Sequence, residues 1–172
     1  MTIEEFVAKI RNRFSLFHFT DRRNLDSIRE HGLLSLRELR RRNIEIGAPG
    51  GNDWSQKSAV KRELDQYVNL SMRDQHPMEY VATKEGRIEE VKHLKVKYEV
   101  LALPGVRFTA DVSNKAGVEL LTWEEAKSQL DWEVILKRTD WKDSAIQERL
   151  RQASKYEVLI PTNVPLAMII NL

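Results

Sequence analysis

An apolar run, Leu16-Phe17-His18-Phe19-Thr20-Asp21, is followed at once by Arg23-Asn24-Leu25, Ile28 and Gly32-Leu33-Leu34. No other stretch constrains the fold as much. The run predicts a buried strand over 15–20. Alternate side chains of a strand share a face, so His18 and Thr20 point the same way. A helix over 22–31 then opens under Asp21 or its neighbours, turns Leu25 and Ile28 inward and stops at Gly32. A lone His on an apolar strand is most simply a hydrogen-bonded core residue. With Thr20 beside it, His18 has a second reading, in which the two side chains converge on one ligand.

The rest of the chain reads as mixed helix and strand. Ile3, Phe6, Val7 and Ile10 fall at helical spacing, with Thr2 as cap and Glu5 three residues on, which predicts an amphipathic helix over 2–13. Residues 35–43 predict another helix, whose outer face is mostly arginine. Gly47-Ala48-Pro49-Gly50-Gly51-Asn52-Asp53 is the clearest loop and follows no phosphate-cradling glycine pattern. It leads into a helix over 54–65. Tyr67 to Met72 is a strand, and Pro77 sits where the first turn of a helix tolerates it.

Further on, Val96 to Leu103 and Val106 to Val112 predict two strands joined by Pro104-Gly105. Thr122 and Glu125 form a capping-box pair for a helix over 122–130. Trp132 to Lys137 fits helix or strand, and Asp143 or Ser144 opens a helix to about Ser154. Tyr156 to Ile160 and Ala167 to Ile170 are apolar, β-branched strands. The order argues for an α+β chain, not a doubly wound sheet.

Composition excludes several classes. With 172 residues, 41% of them hydrophobic and 31% charged, the chain can bury one ordinary core. No apolar run approaches a membrane span, and Met1-Thr2-Ile3-Glu4-Glu5 is acidic where a secretory signal is basic. There is no cysteine, which rules out disulfides and thiolate chemistry and removes the usual sulfur ligands of zinc. A reducing cytoplasm is the default compartment. His31, His76 and His93 have no metal-ligand spacing. Net charge is only +2, but Arg37, Arg40, Arg41 and Arg42 cluster, with Lys57, Lys61 and Arg62 beyond them. A second basic run extends from Lys137 to Lys155. Such runs mark either a phosphate-tracking groove or a solvated helix face. Trp54, Trp123, Trp132 and Trp141 are available for stacking on bases or for the core.

The ordered set Leu16–Thr20 with Arg23-Asn24-Leu25, Tyr67-Val68-Asn69-Leu70, Pro77-Met78-Glu79-Tyr80 and Tyr156-Glu157-Val158-Leu159-Ile160-Pro161 resembles the DarT family. These are bacterial toxins of the ADP-ribosyltransferase superfamily that modify bases of single-stranded DNA. The similarity runs from about Ser15 to Leu172. It implies one ADP-ribosyltransferase-like domain over 1–172, with mixed, mostly antiparallel sheets flanked by helices. It also implies NAD as cosubstrate without a metal, single-stranded DNA as acceptor, a macrodomain antitoxin as partner and no membrane.

Breaking the bond between nicotinamide and ribose builds positive charge on the sugar, which a nearby carboxylate can stabilise while it also orients or deprotonates the acceptor. Glu157, in an apolar strand, is the natural candidate; the strand alone equally allows it to face solvent. The resemblance implies that it is the catalytic glutamate, and that His18, Thr20 and Asn24 bind NAD. Asn24 has a plain reading as a helix cap. Tyr67 and Tyr80 are candidates for stacking on nicotinamide or a base, or for the core. The family's catalytic arginine lies in the helix before the Tyr-Val strand. Arg62 is nearest that strand, with Arg42 the other choice. Arg40, Arg41 and Arg42 are the candidate phosphate contacts. No residue decides between thymidine and guanosine as target. Rival readings are the same chemistry on RNA, an inactive nucleic-acid-binding module, and transfer to proteins.

Overall fold

A computed structural model describes residues 1–11, 14–48, 57 and 63–172. Helix α1 (Ile3–Ile10) begins under a complete capping box, with Thr2 and Glu5 satisfying each other's backbone N–H, and buries Phe6, Val7 and Ile10. Strand β1 (Ser15–Asp21) follows. The Asp21 carboxylate then accepts from the Arg23 backbone, and a 3₁₀ turn over Arg22–Asn24 leads into α2 (Leu25–His31). Short β2 (Leu33–Leu34) and α3 (Leu36–Arg41) come next, α3 capped by Ser35. The helix expected over 54–65 lies largely outside the described residues.

A 3₁₀ turn over Leu64–Gln66 enters β3 (Tyr67–Ser71). His76 caps α4 (Pro77–Lys84), with the proline in the first turn. β4 (Val91–Lys97) precedes a 3₁₀ stretch over Tyr98–Ala102, and β5 (Arg107–Thr109) is short. Helices α5 (Trp123–Gln129), α6 (Trp132–Leu136) and α7 (Ser144–Ala153) lead to β6 (Glu157–Pro161) and β7 (Asn163–Val164).

Strands β4-β1-β3-β6-β5 form one antiparallel sheet in that order, and β2 pairs with β7. Leu16, Leu70, Val96, Val158, Ile160 and Phe108 are almost fully buried on one face of it. At the β5 end, Phe108 lies 6.0 Å from the Trp123 ring and 6.3 Å from the Trp132 ring, and Phe6 of α1 meets both indoles within 4.9 Å. Two tryptophans are therefore core, whereas Trp141 is 65% exposed.

Three expected strands are redrawn. Val96–Leu103 is the end of a strand that starts at Val91 and gives way to a 3₁₀ stretch at Tyr98; Lys92, His93 and Lys95 masked its beginning. Val106–Val112 contributes only Arg107–Thr109, because β6 pairs with it over those three residues. Residues 167–170 hold the end of a 3₁₀ turn over Leu166–Met168, with Ile169 bridging Val96 at the sheet's edge.

The sheet is not continuous in its bonding. β1 meets β4 over seven residue pairs, from Ser15 with Lys97 to Asp21 with Val91. It meets β3 at one, Phe17 with Ser71. Beyond that pair β1 and β3 part, and the opening is a cleft of about 290 Å³.

Gly32 closes one side of it. Its φ is +74°, and an added Cβ would stand 2.6 Å from the Val164 carbonyl oxygen. With ψ at −170° this backbone lies in a region almost confined to glycine and costs an ordinary residue ~1–3 kcal/mol, and the close approach adds to it. Gly32→Ala should therefore lower the free energy of unfolding by more than about 2 kcal/mol in urea titrations; a change under half of that would show that the β2–β7 pairing yields.

Candidate active site

Glu157 opens β6, where Ser71 and Thr109 are its partners in the register. It is only 6% exposed, and Val158, Leu159 and Ile160 after it are fully buried. A carboxylate buried this far needs donors. Oε2 has two: the Ser113 backbone N–H at 2.8 Å and the Asn69 amide nitrogen at 3.3 Å. Asn69 also donates to the Ser113 hydroxyl at 2.8 Å, tying β3 to the segment after β5. Oε1 faces His76, whose Nε2 is 3.2 Å away. That nitrogen is buried and makes no hydrogen bond, so its N–H is not directed at the carboxylate despite the distance.

His18 occupies the opening between β1 and β3. Its Nδ1 donates to the Asn69 carbonyl at 3.0 Å, which leaves Nε2 as the lone-pair nitrogen. Burial pushes the imidazole pKa down, and the bond to Asn69 offsets part of this. Strand alternation would put His18 and Glu157 on opposite faces, because the register places Phe17, Ser71 and Glu157 on one side. They line the same cleft because the two strands part between them.

Thr20 and Asn24 act as a unit. The Asn24 amide nitrogen donates to Thr20 Oγ1 at 3.1 Å and to the Ala48 carbonyl at 2.8 Å, and its oxygen accepts from the Ala48 N–H at 3.1 Å. Asn24 makes no side-chain cap bond. Its amide is thus committed to holding the segment at Ala48 against the cleft, which Thr20 also lines. Below them the buried Asp21 carboxylate is clamped by Arg23 at 2.9 and 3.0 Å and by the Glu89 N–H at 2.8 Å. The Arg23 guanidinium holds its pKa well below the usual carboxylate range.

Tyr67 lines the cleft. Tyr80 does not: it is 68% exposed on α4, with Lys84 Nζ 5.8 Å from its ring centre. Arg62 lies outside the described residues. The candidate phosphate contacts are paired within the molecule. Arg37 and Arg40 meet buried Asp65 at 2.8 and 3.2 Å, and Arg41 and Arg42 both reach buried Glu38 at 2.6 Å. Arg41, then Arg42, draw the Glu38 pKa down to about 2. Among the described residues no Lys or Arg lines the cleft, and none of the groupings of His, Asp and Glu could hold a metal.

Sequence reasoning passed over Asn69, His76 and Ser113. His76 carried a signal, since a polar residue directly before a helix-opening proline is a capping position. Asn69 was visible as the amide in an otherwise apolar strand.

The parted sheet brings Glu157 of β6 and His18 and Thr20 of β1 to one cleft, across the intervening β3, in the mixed, mostly antiparallel architecture expected of an ADP-ribosyltransferase-like fold. A family model described as "ssDNA thymidine ADP-ribosyltransferase, DarT" matches residues 17–172, and the chain belongs to that family. No curated protein matches it significantly. Among solved structures it is similar to Thermus sp. 2.9 DarT in complex with ADP-ribosylated ssDNA, at 21% identity and a TM-score of 0.66, covering 92% of this chain and 82% of that one. The same protein in complex with NAD+ aligns at 23% identity and a TM-score of 0.62, over 92% and 80%. Thermosipho africanus DarTG in complex with ADP-ribose aligns at 20% identity and a TM-score of 0.65; the match covers 91% of this chain and 42% of that one.

The His18 environment has a pH signature. Unfolded, the imidazole takes a proton below about 6.5, whereas the folded site resists it. The unfolded state then binds more protons, so stability present above pH 6.5 is lost as pH falls through the lower folded value. Urea unfolding at pH 7 and pH 5 should show a smaller pH-dependent loss for His18→Gln than for the parent; equal losses would clear His18 as the source.

Proposed function

We propose that this chain is a toxin enzyme that transfers ADP-ribose from NAD to the thymine base of single-stranded DNA, releasing nicotinamide. The observation that carries this reading is the buried Glu157, with one oxygen saturated by Ser113 and Asn69 and the other turned to a cleft shared with His18 and Thr20. Membership of the family supports the reaction, and the family description supports thymidine, which the residues alone left open against guanosine.

In this reading His18 Nε2 and the Thr20 hydroxyl hold the ribose and amide end of NAD, with Asn24 keeping the Ala48 segment in place behind them. Tyr67 packs on the nicotinamide side. Glu157 faces the ribose, meets the positive charge that grows as the glycosidic bond lengthens, and takes the proton from the acceptor nitrogen. The described lining of the cleft contains one carboxylate and no cation, while NAD brings a pyrophosphate. Arg62 is the proposed source of that positive charge, and it also positions the base. Arg40, Arg41 and Arg42 track phosphates with the guanidinium donors that Asp65 and Glu38 leave unused; the Arg41 side chain is 68% exposed. The proposed partner is a macrodomain antitoxin that removes the mark, in keeping with the DarTG name of the Thermosipho protein. Among the described residues no helix is long and apolar enough to cross a membrane. The proposed compartment is the cytoplasm, where NAD and exposed single strands meet.

Incubation with NAD and short oligonucleotides, each lacking one base, followed by intact-mass analysis, tests the acceptor. Addition of ADP-ribose only where thymine is present supports the reading. Labelled RNA, labelled protein, or no nicotinamide release would favour the respective rivals. Glu157→Gln keeps volume and removes charge, so transfer should fall by about 10²–10³-fold with folding intact. More than a tenth of the parental rate would remove Glu157 from its role. Replacing Arg40 and Arg41 with Gln should lower the log–log salt slope of oligonucleotide binding by about 0.7 for each phosphate no longer neutralised, without changing the base modified. An unchanged slope would take both off the phosphate track.

A further inference from the structure

The two oxygens of Glu157 are not equivalent. Oε2 accepts from Ser113 N–H and the Asn69 amide. Oε1 has no hydrogen-bond donor among the described residues and lies 3.2 Å from His76 Nε2. The His76 ring is fixed from behind: Nδ1 accepts the Met78 backbone N–H at 3.3 Å as the cap of α4, and Phe19 stacks on the ring at 6.2 Å. Because Nδ1 uses its lone pair as acceptor, the ring proton sits on Nε2. That N–H is buried, lines the cleft and makes no hydrogen bond among the described residues. Buried donors are normally paired, and an orphan beside a reactive group calls for an acceptor supplied by a ligand.

We propose that His76 reads the acceptor base: its Nε2–H donates to a thymine carbonyl next to N3 while Glu157 Oε1 accepts the N3 proton. This rests on the function proposed above. A thymine ring attached through N1 has one ring N–H, at N3, with a carbonyl on either side. The N–H and the carbonyl are on adjacent ring atoms, so their partners must stand side by side, one acceptor and one donor. Oε1 and Nε2–H are such a pair. Cytosine and adenine present the opposite order, a ring-nitrogen lone pair beside an amino group. With the ring nitrogen at Oε1, where it must stand to react, they would set lone pair to carboxylate and N–H to N–H; rotated to satisfy the pair, they would turn the amino group, not the ring nitrogen, to Oε1.

In the step itself the bond from the ribose C1′ to nicotinamide breaks, its electrons leaving with nicotinamide. The bond from N3 to C1′ forms, and the N3 proton passes to Oε1. His76 gives up no proton; its N–H meets the negative charge that gathers on the carbonyl as N3 loses its proton.

The test pairs a change in the protein with a change in the base. Oligonucleotides carry a single thymine, or the same thymine with one or the other carbonyl replaced by the weaker acceptor thiocarbonyl. The parental protein should transfer about 3- to 10-fold more slowly to one of the two thio substrates. His76→Asn retains a capping oxygen for Met78 and loses the distal donor. It should transfer to ordinary thymine about 10-fold more slowly and show no further thio penalty. His76→Gln puts an amide N–H near the Nε2 position and should restore both the rate, in part, and the penalty. A thio penalty equally large in His76→Asn, or absent from the parent, overturns the assignment. So does comparable labelling by the parent of single-cytosine or single-adenine oligonucleotides, a result that needs no variant. A parent that labels no thymine oligonucleotide sinks the proposed function itself, whereas normal labelling with an indifferent His76 sinks this inference alone.

Discussion

The hydrogen bond from the His18 imidazole to the Asn69 carbonyl stands where a backbone ladder would otherwise run. β1 is fully laddered to β4 on one side and meets β3 at a single pair, so the strand is held in place without closing the sheet. Had β1 and β3 paired along their length, the backbone groups would be satisfied and the cleft would not exist. His18 and Glu157 would then point to opposite faces. The parted strands turn two faces of one sheet toward a common space. The unpaired edge this creates is bridged by the His18 ring at Asn69, and the Ser71 hydroxyl, donating to the Phe17 carbonyl at 3.3 Å, reinforces the one paired position. Such bonds hold the edge at one point each and leave room between them, which a ladder does not.

Asn69 therefore links both halves of the site. Its carbonyl orients His18, and its side chain donates to Glu157 and to Ser113. One residue of β3 thus fixes both the His18 ring and the Glu157 carboxylate at the cleft. With Oε2 held by two donors, the carboxylate is fixed in orientation, and Oε1 is the oxygen that no donor among the described residues occupies. A carboxylate with both oxygens so satisfied would be quieter, and one with neither would not survive burial among Val158, Leu159 and Ile160.

Much of this was legible in the chain. Capping boxes at Thr2 and Thr122, the glycine stop at Gly32 and the proline start at Pro77 depend on neighbours a few residues away, and each element they mark is present. Glu157 stood out because an acid in so apolar a strand is costly. β4 was half hidden, because its alternation is short: Leu94 and Val96 alone are buried, among Lys92, His93, Lys95 and Lys97. The Ala167–Ile170 segment has strand composition, yet it covers the β4 edge through an isolated bridge of Ile169 to Val96 and a backbone bond from the Ile170 N–H to the Lys95 carbonyl, with Asn171 beyond it bonding Lys95 and His93. Asn24 could be read as a cap or a ligand contact from its place in the sequence. Its actual partner, Ala48, is twenty-four residues on, and no local pattern points there.

The arginine cluster shows how charge counted along a sequence differs from charge offered to a ligand. Arg37, Arg40, Arg41 and Arg42 share two buried carboxylates, Asp65 and Glu38, so four positive charges are offset by two negative ones within a few ångströms. The Asp65 pair ties α3 to the turn that launches β3, and the Glu38 pair closes on α3 itself. Removing one guanidinium here leaves each buried acid its second arginine, whereas reversing the charge sets a carboxylate beside a buried carboxylate, so a neutral hydrogen-bonding replacement is cleaner. A phosphate that docks on this face meets a half-compensated surface. Its counterion release should then correspond to fewer contacts than the arginine count suggests. In the proposed function, affinity for a strand then comes in greater part from the cleft, where an unstacked base would enter, than from this half-compensated face.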